Sequence, residues 1–294
     1  MAAIGQVTPA TGEQDALARA GERALLVPDL LVEARRVANT VIAGWHGRRK
    51  RGPGETFWQF RPWVEGESEA RIDWRRSARD DHVYLRDREW EAAHTVWLWA
   101  DPSPSMLYRS EAGTVPKEGR ALVLSLAMAE VLARSGERVA YCGLTRPIAA
   151  RNAAERIALA LSRERPELDV DAVRGPAEIV LVSDFLSPLA DTLALIGRLA
   201  PRGVRGHLVE VCDPAEERFP YAGRVEFRDP ETGERLVTGR ADELGEDYRN
   251  AFRARRTELR RAALRAGWSH VTHRTDRPAS EALVALHTRL SGVA

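Results

Sequence analysis

Lysine is nearly missing from this chain. Of its 44 basic residues only Lys50 and Lys117 are lysines, and the rest are arginine. Coding bias accounts for that as well as any binding role does. Cysteine is scarce too. Cys142 and Cys212 are too few for the disulfide scaffold of a small secreted domain. Both lie in apolar, strand-like runs, so buried free thiols are expected. No apolar run approaches the roughly 18 residues of a membrane span. The N-terminus shows no basic stretch followed by an apolar one, so no signal peptide is expected. Charge of one sign is also lacking: Lys+Arg 44 against Asp+Glu 43 leaves a net charge of +1. That balance argues against a surface built wholly for nucleic acid. The seven histidines are scattered without ligand or triad spacing, and there is no G-x-S-x-G elbow. There is no internal repeat. A soluble, cytoplasmic globular protein is the expectation.

Against these absences one stretch stands out. Residues 94–106 read His-Thr-Val-Trp-Leu-Trp-Ala-Asp-Pro-Ser-Pro-Ser-Met, an apolar strand running into Asp-x-Ser-x-Ser. The strand places Asp101, Ser103 and Ser105 at its C-terminal end, where open α/β sheets bind ligands. One carboxylate and two hydroxyls, with no nitrogen or sulfur, suit a hard cation such as Mg²⁺ or Mn²⁺. So little ligand charge leaves the ion electrophilic, with open positions. Pro102 and Pro104 stiffen the loop. A second strand, Ile179 to Val182, ends in Ser183-Asp184 and offers another carboxylate. The plainer alternative is that Asp101 and the serines only cap the following helix.

The rest of the chain alternates. Residues 1–27 are expected to be partly disordered. A helix is expected over 28–45, with Pro28 in its first turn. From the strand at 94–100 onward, the pattern predicts helix 119–135, strand 137–144, helix 152–163, strand 178–183, helix 188–200 and strand 206–212. Such alternation reads as an open, mainly parallel sheet with helices on both faces. Asp-Pro-Glu-Thr-Gly between two short apolar runs then signals a hairpin insertion near 223–238. A charged helix over about 245–266, a strand at 268–273 and a helix at 279–290 close the pattern.

Between these parts lies an unusual segment. Seven of the eight tryptophans fall between Trp45 and Trp99, among arginines and acids. His46–Gly54 is a basic, glycine-bounded loop. Arg71-Ile72-Asp73-Trp74-Arg75-Arg76-Ser77-Ala78-Arg79 is the densest piece. Tryptophan with arginine marks buried stacking or an interface. Arg71, Asp73, Trp74 and Arg79 are therefore structural or interface candidates, with Asp73 anchoring an ion-pair network.

Two series of residues carry a family resemblance. Asp101-x-Ser103-x-Ser105 resembles the first element of the metal-ion-dependent adhesion site (MIDAS) of von Willebrand factor A-like domains, and residues 94–294 resemble such a Rossmann-like domain. The run R-G-P-G-E-T-F-W-Q-F-R-P-W, then R-I-D-W-R-R-S-A-R, then Y-L-R-D-R-E-W-E and the strand with D-P-S-P-S-M resembles the bacterial family called domain of unknown function 58. The resemblance covers roughly residues 28–290. It implies three parts: the N-terminus to 27, the helix and Trp/Arg-rich segment 28–93, and the von Willebrand factor A-like domain 94–294. It also implies a MoxR-type AAA+ ATPase as partner, because members are often encoded beside one. A full adhesion site adds a threonine and a second aspartate. Asp184 fits the aspartate by position, orienting a metal-bound water from the second coordination shell, although Phe185 follows where glycine is usual. Thr145 is the nearest threonine, but it lies earlier than the expected loop.

The function these features suggest is binding rather than catalysis. Mg²⁺ held by Asp101, Ser103 and Ser105 takes an Asp or Glu from a partner protein. The alternatives are a Mg²⁺-dependent phosphohydrolase-like enzyme with Asp101 as nucleophile, and a nucleic-acid module acting through 47–51 and 71–79. Ser103 stands where a phosphohydrolase has its second carboxylate, and serine is a poor acid or base near neutral pH.

Overall fold

The computed structural model describes residues 13–46, 58–64, 72, 74–79, 82–88 and 94–290. The chain divides into two compact units, one spanning residues 44–93 and the other the remainder. No helix among the described residues is long and apolar enough to cross a membrane.

In chain order the chain begins with helix α1 (Glu13–His46). It starts within the stretch expected to be partly disordered, and Pro28 lies inside it rather than in its first turn. Val27, Ala34, Ala38 and Val41 are buried at helical spacing on both sides of Pro28. A continuous buried stripe of this kind carries a helix past one missing N–H.

The smaller unit holds strands β1 (Trp58–Pro62) and β2 (Tyr84–Arg88), paired antiparallel, with the short helix α2 (Trp74–Ser77) between them in sequence. The Ser77 hydroxyl accepts the Tyr84 N–H at 2.9 Å, and Arg76 lies over the Tyr84 ring.

The larger unit continues with β3 (Thr95–Ala100), α3 (Lys117–Arg134), β4 (Arg138–Tyr141), α4 (Ala153–Leu161), β5 (Glu178–Ser183), α5 (Leu189–Leu199) and β6 (Arg205–Cys212). After these come α6 (Pro214–Arg218), β7 (Val225–Arg228), β8 (Arg235–Thr238), α7 (Ala241–Arg265), β9 (Ser269–Arg274) and α8 (Ala279–Leu290). Five strands form one sheet in the order β4-β3-β5-β6-β9, every pair parallel. The expected open α/β sheet is present, with helices on both faces. β7 and β8 form the expected hairpin apart from it.

Strand alternation feeds two layers. Trp97, Ile179, Leu181 and Leu208 point to one face, where they meet Ile196 and Leu199 of α5 and Leu259, Ala262 and Ala263 of α7. Gly206 makes room here: a Cβ on it would fall 2.0 Å from the Trp268 ring. The other face carries α3, which is buried all round from Arg120 to Ala133. Such a helix needs cover on its outer side as well. α4, α8 and α1 supply it; from α1, Asn39 accepts from Arg134 at 2.7 Å, and Arg35 pairs with Glu130. Both cysteines are free and buried; burial pushes the Cys142 thiol up to about 12.

This topology fixes where a site belongs. β3 and β5 are neighbours, and the chain runs from β3 to β4 on one side and from β5 to β6 on the other. Loops after β3 and β5 therefore part and open a crevice at the strands' C-terminal ends. Asp101 follows β3, and Asp184 follows β5.

Candidate functional site

Asp101 continues β3 by one residue: its N–H donates to the Val182 carbonyl at 2.8 Å. The side chain is 8% exposed. Its Oδ1 accepts the Ser103 N–H at 2.8 Å, and its Oδ2 accepts the Ser183 hydroxyl at 2.6 Å. Both donors are neutral. Among the described residues no Lys, Arg or His forms an ion pair with Asp101, although buried charges are normally paired or bound to metal.

The two prolines shape the loop beyond Asp101. Ser103 precedes Pro104 and is held extended, at φ −59° and ψ 154°. Pro104 opens a 3₁₀ turn, Pro104–Leu107. Ser103 sits at the start of this turn, yet its hydroxyl caps nothing. Instead Ser103 Oγ lies 3.1 Å from Ser105 Oγ. At Mg–O bonds of about 2.0–2.1 Å, neighbouring corners of an octahedron are about 3 Å apart. The serine hydroxyls are within hydrogen-bond distance of each other, a separation that two adjacent ligands of such an ion would also have. Arg165 steadies the loop from outside by donating to the Pro102 carbonyl at 2.6 Å.

Asp184 is differently placed. Its Oδ1 accepts the Leu186 N–H at 3.0 Å, and its Oδ2 meets the ammonium of Lys117 at 2.8 Å. Lys117 also pairs with Glu216, and its ammonium stands 5.7 Å from the centre of the Tyr108 ring. Burial alone would lower the Lys117 pKa; Glu216 and Asp184 outweigh it and hold it above the ordinary value. Phe185, where the adhesion-site resemblance leads one to expect glycine, adopts φ +50°, the conformation glycine takes freely. Arg255 donates to its carbonyl at 2.8 Å, and the Ser183 hydroxyl accepts its N–H at 2.9 Å. Ser183 therefore links the two loops, donating to Asp101 and accepting from Phe185.

Thr145 lies in the turn after β4, where its hydroxyl accepts the Tyr141 N–H at 2.9 Å. Trp74 is 63% exposed, and Arg79 is exposed as well. Arg71 and Asp73, like the basic loop at 47–51, lie outside the described residues.

Several residues of the site were missed in the sequence. Lys117 had one signal: it is one of two lysines in an arginine-rich chain. A compact ammonium with three donors serves two carboxylates in a closed space better than a planar guanidinium does. Asp213 and Glu216 form a capping box at the start of α6, with the Asp213 N–H donating to Glu216 Oε2 at 2.7 Å. The motif Asp-Pro-Ala-Glu carries that cap, but not its contacts with Lys117 and with the Ser110 N–H at 3.0 Å. Glu231, at the hairpin tip, accepts the Ser105 N–H at 2.9 Å.

The sequence profile of a family described as "Protein of unknown function DUF58" matches residues 59–258. An uncharacterized protein of Mycobacterium bovis is 28% identical over 265 residues, covering 81% of this chain and 80% of its own length. An uncharacterized protein of Mycobacterium tuberculosis matches to the same extent. Among solved structures, the conserved hypothetical protein BatB of Bacteroides thetaiotaomicron aligns with 68% of this chain and all of its own, at 12% identity and a TM-score of 0.39. An aerotolerance-related membrane protein of Bacteroides fragilis aligns over the same share of each chain, at 15% identity and a TM-score of 0.42.

Proposed function

Since the chain belongs to the family of unknown function DUF58, we propose that it is a metal-dependent protein-binding module whose site takes an acidic side chain from a partner. The observation that carries this reading is Asp101: a buried carboxylate with only neutral donors among the described residues, beside two hydroxyls 3.1 Å apart. Asp101, Ser103 and Ser105 would hold Mg²⁺ or Mn²⁺. When bound, the ion supplies an electrophilic position for a carboxylate. Ser183 and the Ser103 N–H aim the Asp101 carboxylate. Lys117 pairs with Asp184 and Glu216, whereas Asp101 has no ion-pair partner among the described residues and would be the charge that attracts the cation. The two serine hydroxyls add no charge, so the ion would stay net positive toward an incoming carboxylate. The adhesion-site resemblance gives Asp184 the orienting of a metal-bound water, a task its oxygens would combine with holding the Leu186 N–H and Lys117. The family resemblance adds a MoxR-type AAA+ ATPase as the expected companion, in the cytoplasm.

Titration calorimetry tests the metal. The wild type should bind one Mn²⁺, and Asp101→Ala should bind none; equal binding by both sinks the proposal. Affinity capture from the native host, with and without a chelator, then tests the partner. The captured set should change on chelation and in Asp101→Ala alike.

A further inference from the structure

The β7–β8 hairpin touches the site loop at its tip, and the segment just before β7 touches the residue that follows the loop. At its tip, Asp229 Oδ1 accepts the Glu231 N–H at 2.8 Å, and Asp229 Oδ2 accepts the Thr232 hydroxyl at 2.9 Å. The Gly233 N–H donates to the Asp229 carbonyl at 2.9 Å, with Gly233 at φ +77°. These bonds, the Glu231 N–H foremost, hold the Asp229 carboxyl below its ordinary range. The tip is therefore set, and from it the Glu231 carboxylate reaches the Ser105 N–H at 2.9 Å. Within β7, Phe227 stacks on Phe219 at 5.6 Å and meets Tyr221, which precedes the strand, edge-on at 5.3 Å. The Tyr221 hydroxyl lies 2.6 Å from that of Tyr108, the residue directly after the 3₁₀ turn that carries Ser105. Between the two contacts, β8 leaves Leu236 and Val237 58% and 56% exposed.

An internal carboxylate thus rests on the loop that, in the function proposed above, receives one from outside. We infer that Glu231 is a built-in competitor for this site, held where a partner's acidic side chain docks, and that the partner binds by displacing it. The inference rests on that proposed function and specifies its regulation. A tethered carboxylate acts at an effective concentration in the millimolar range or above. Free carboxylates seldom overcome such a competitor. A protein segment does, if it presents an Asp or Glu and also covers Leu236 or Val237, which point to opposite faces of β8. The hairpin then works as a filter that admits acidic protein segments with apolar neighbours and rejects small acids.

The experiment uses the full chain, with N-acetylglutamate as the probe carboxylate and Mn²⁺ as the probe metal. In Glu231→Ala, the Ser105 amide should exchange with solvent about tenfold faster than in the wild type, as expected for loss of a charge-assisted hydrogen bond. N-acetylglutamate should bind the Mn²⁺-loaded variant about tenfold tighter, because the competitor is gone. Glu226→Ala, which removes a hairpin carboxylate paired with Arg235 at 3.3 Å, should change neither quantity. Equal Ser105 exchange in wild type and Glu231→Ala overturns the inference, as does equal N-acetylglutamate affinity. Failure of the metal reading is seen separately, as Mn²⁺ binding that Asp101→Ala does not alter. In that event the amide exchange alone decides whether Glu231 holds the loop.

Discussion

Lys117 Nζ and Asp184 Oδ2 lie 2.8 Å apart, on side chains 0% and 3% exposed. One is the first residue of α3 and the other follows β5, so the pair ties the sheet's crevice to the helix beneath it. Glu216 of α6 completes the cluster. Removing the cation strands two buried carboxylates, which typically costs about 3–5 kcal/mol. Lys117→Met should therefore lower the unfolding free energy by that amount in chemical denaturation. Lys117→Arg should not restore it, because a planar fork does not fit a space closed around an ammonium. A Lys117→Met protein within about 1 kcal/mol of wild type, a margin typical of a surface pair, would show that the cluster does not hold the fold.

The sheet and the position of the site were readable in the sequence because both depend on local pattern. β3, β5 and β6 are apolar runs bounded by turns, and Asp-x-Ser-x-Ser falls where β3 must end. The Asp-Pro-Glu-Thr-Gly turn announced the hairpin. The missing parts depend on contacts between distant segments. Periodicity alone started α3 at 119, which left Lys117 in a loop; the helix begins at Lys117, preceded by Pro116 at its cap. Asp184 was readable as a candidate by position, but its partner lies 67 residues away. Glu231 looked like an ordinary turn residue because Ser105, its partner, is 126 residues distant. In α1, propensity placed Pro28 at a start, whereas the buried stripe runs through it.

Phe185 reverses an ordinary rule. Alanine usually exceeds glycine in stability because glycine loses more backbone freedom on folding. At φ +50° an L side chain bears roughly 1–2 kcal/mol of strain that glycine avoids. The buried ring outweighs that strain, so both truncations destabilise. Phe185→Gly should nonetheless be more stable than Phe185→Ala, by about 1 kcal/mol in chemical denaturation. The opposite order would show that the positive φ is not a feature of the folded chain in solution.

Acid should weaken the fold through its histidines. Burial, reinforced by Arg120, holds His273 down to about 4 against an ordinary 6.5, and Asp276 opposes this only in part. Burial likewise holds His287 down to about 4. Below pH 6.5 the unfolded chain takes up protons that the folded chain refuses until about pH 4. The histidine contribution is therefore complete above about pH 6.5 and falls as pH drops through that window. The buried His273 accounts for at most about 3 kcal/mol, and the half-buried His287 for less, because solvent screens it. Melting temperatures measured between about pH 7 and pH 4 should show the decline, and His273→Gln should flatten it. Identical slopes for the two proteins would assign the acid sensitivity elsewhere.

Ser183 offers a test of how the site is held, apart from what it binds. Its hydroxyl donates to Asp101 Oδ2 at 2.6 Å and accepts the Phe185 N–H at 2.9 Å. It is a positioning residue, since it fixes the direction of the carboxylate that would ligate the metal. Outer hydrogen bonds of this kind typically change metal affinity by about 10–100-fold. Ser183→Ala should therefore weaken Mn²⁺ binding about tenfold in calorimetry, with one site still present. Loss of a partner for the Phe185 N–H should also cost about 1–3 kcal/mol of stability. Ser183→Thr keeps the hydroxyl and should restore the affinity, although its extra methyl group in a buried site limits recovery of stability. A purely structural role would lower stability in Ser183→Ala and leave Mn²⁺ affinity where it was. Unchanged affinity would mean that the Ser103 N–H suffices to aim Asp101, and the link from β5 to the Asp-x-Ser-x-Ser loop would then be a matter of folding alone.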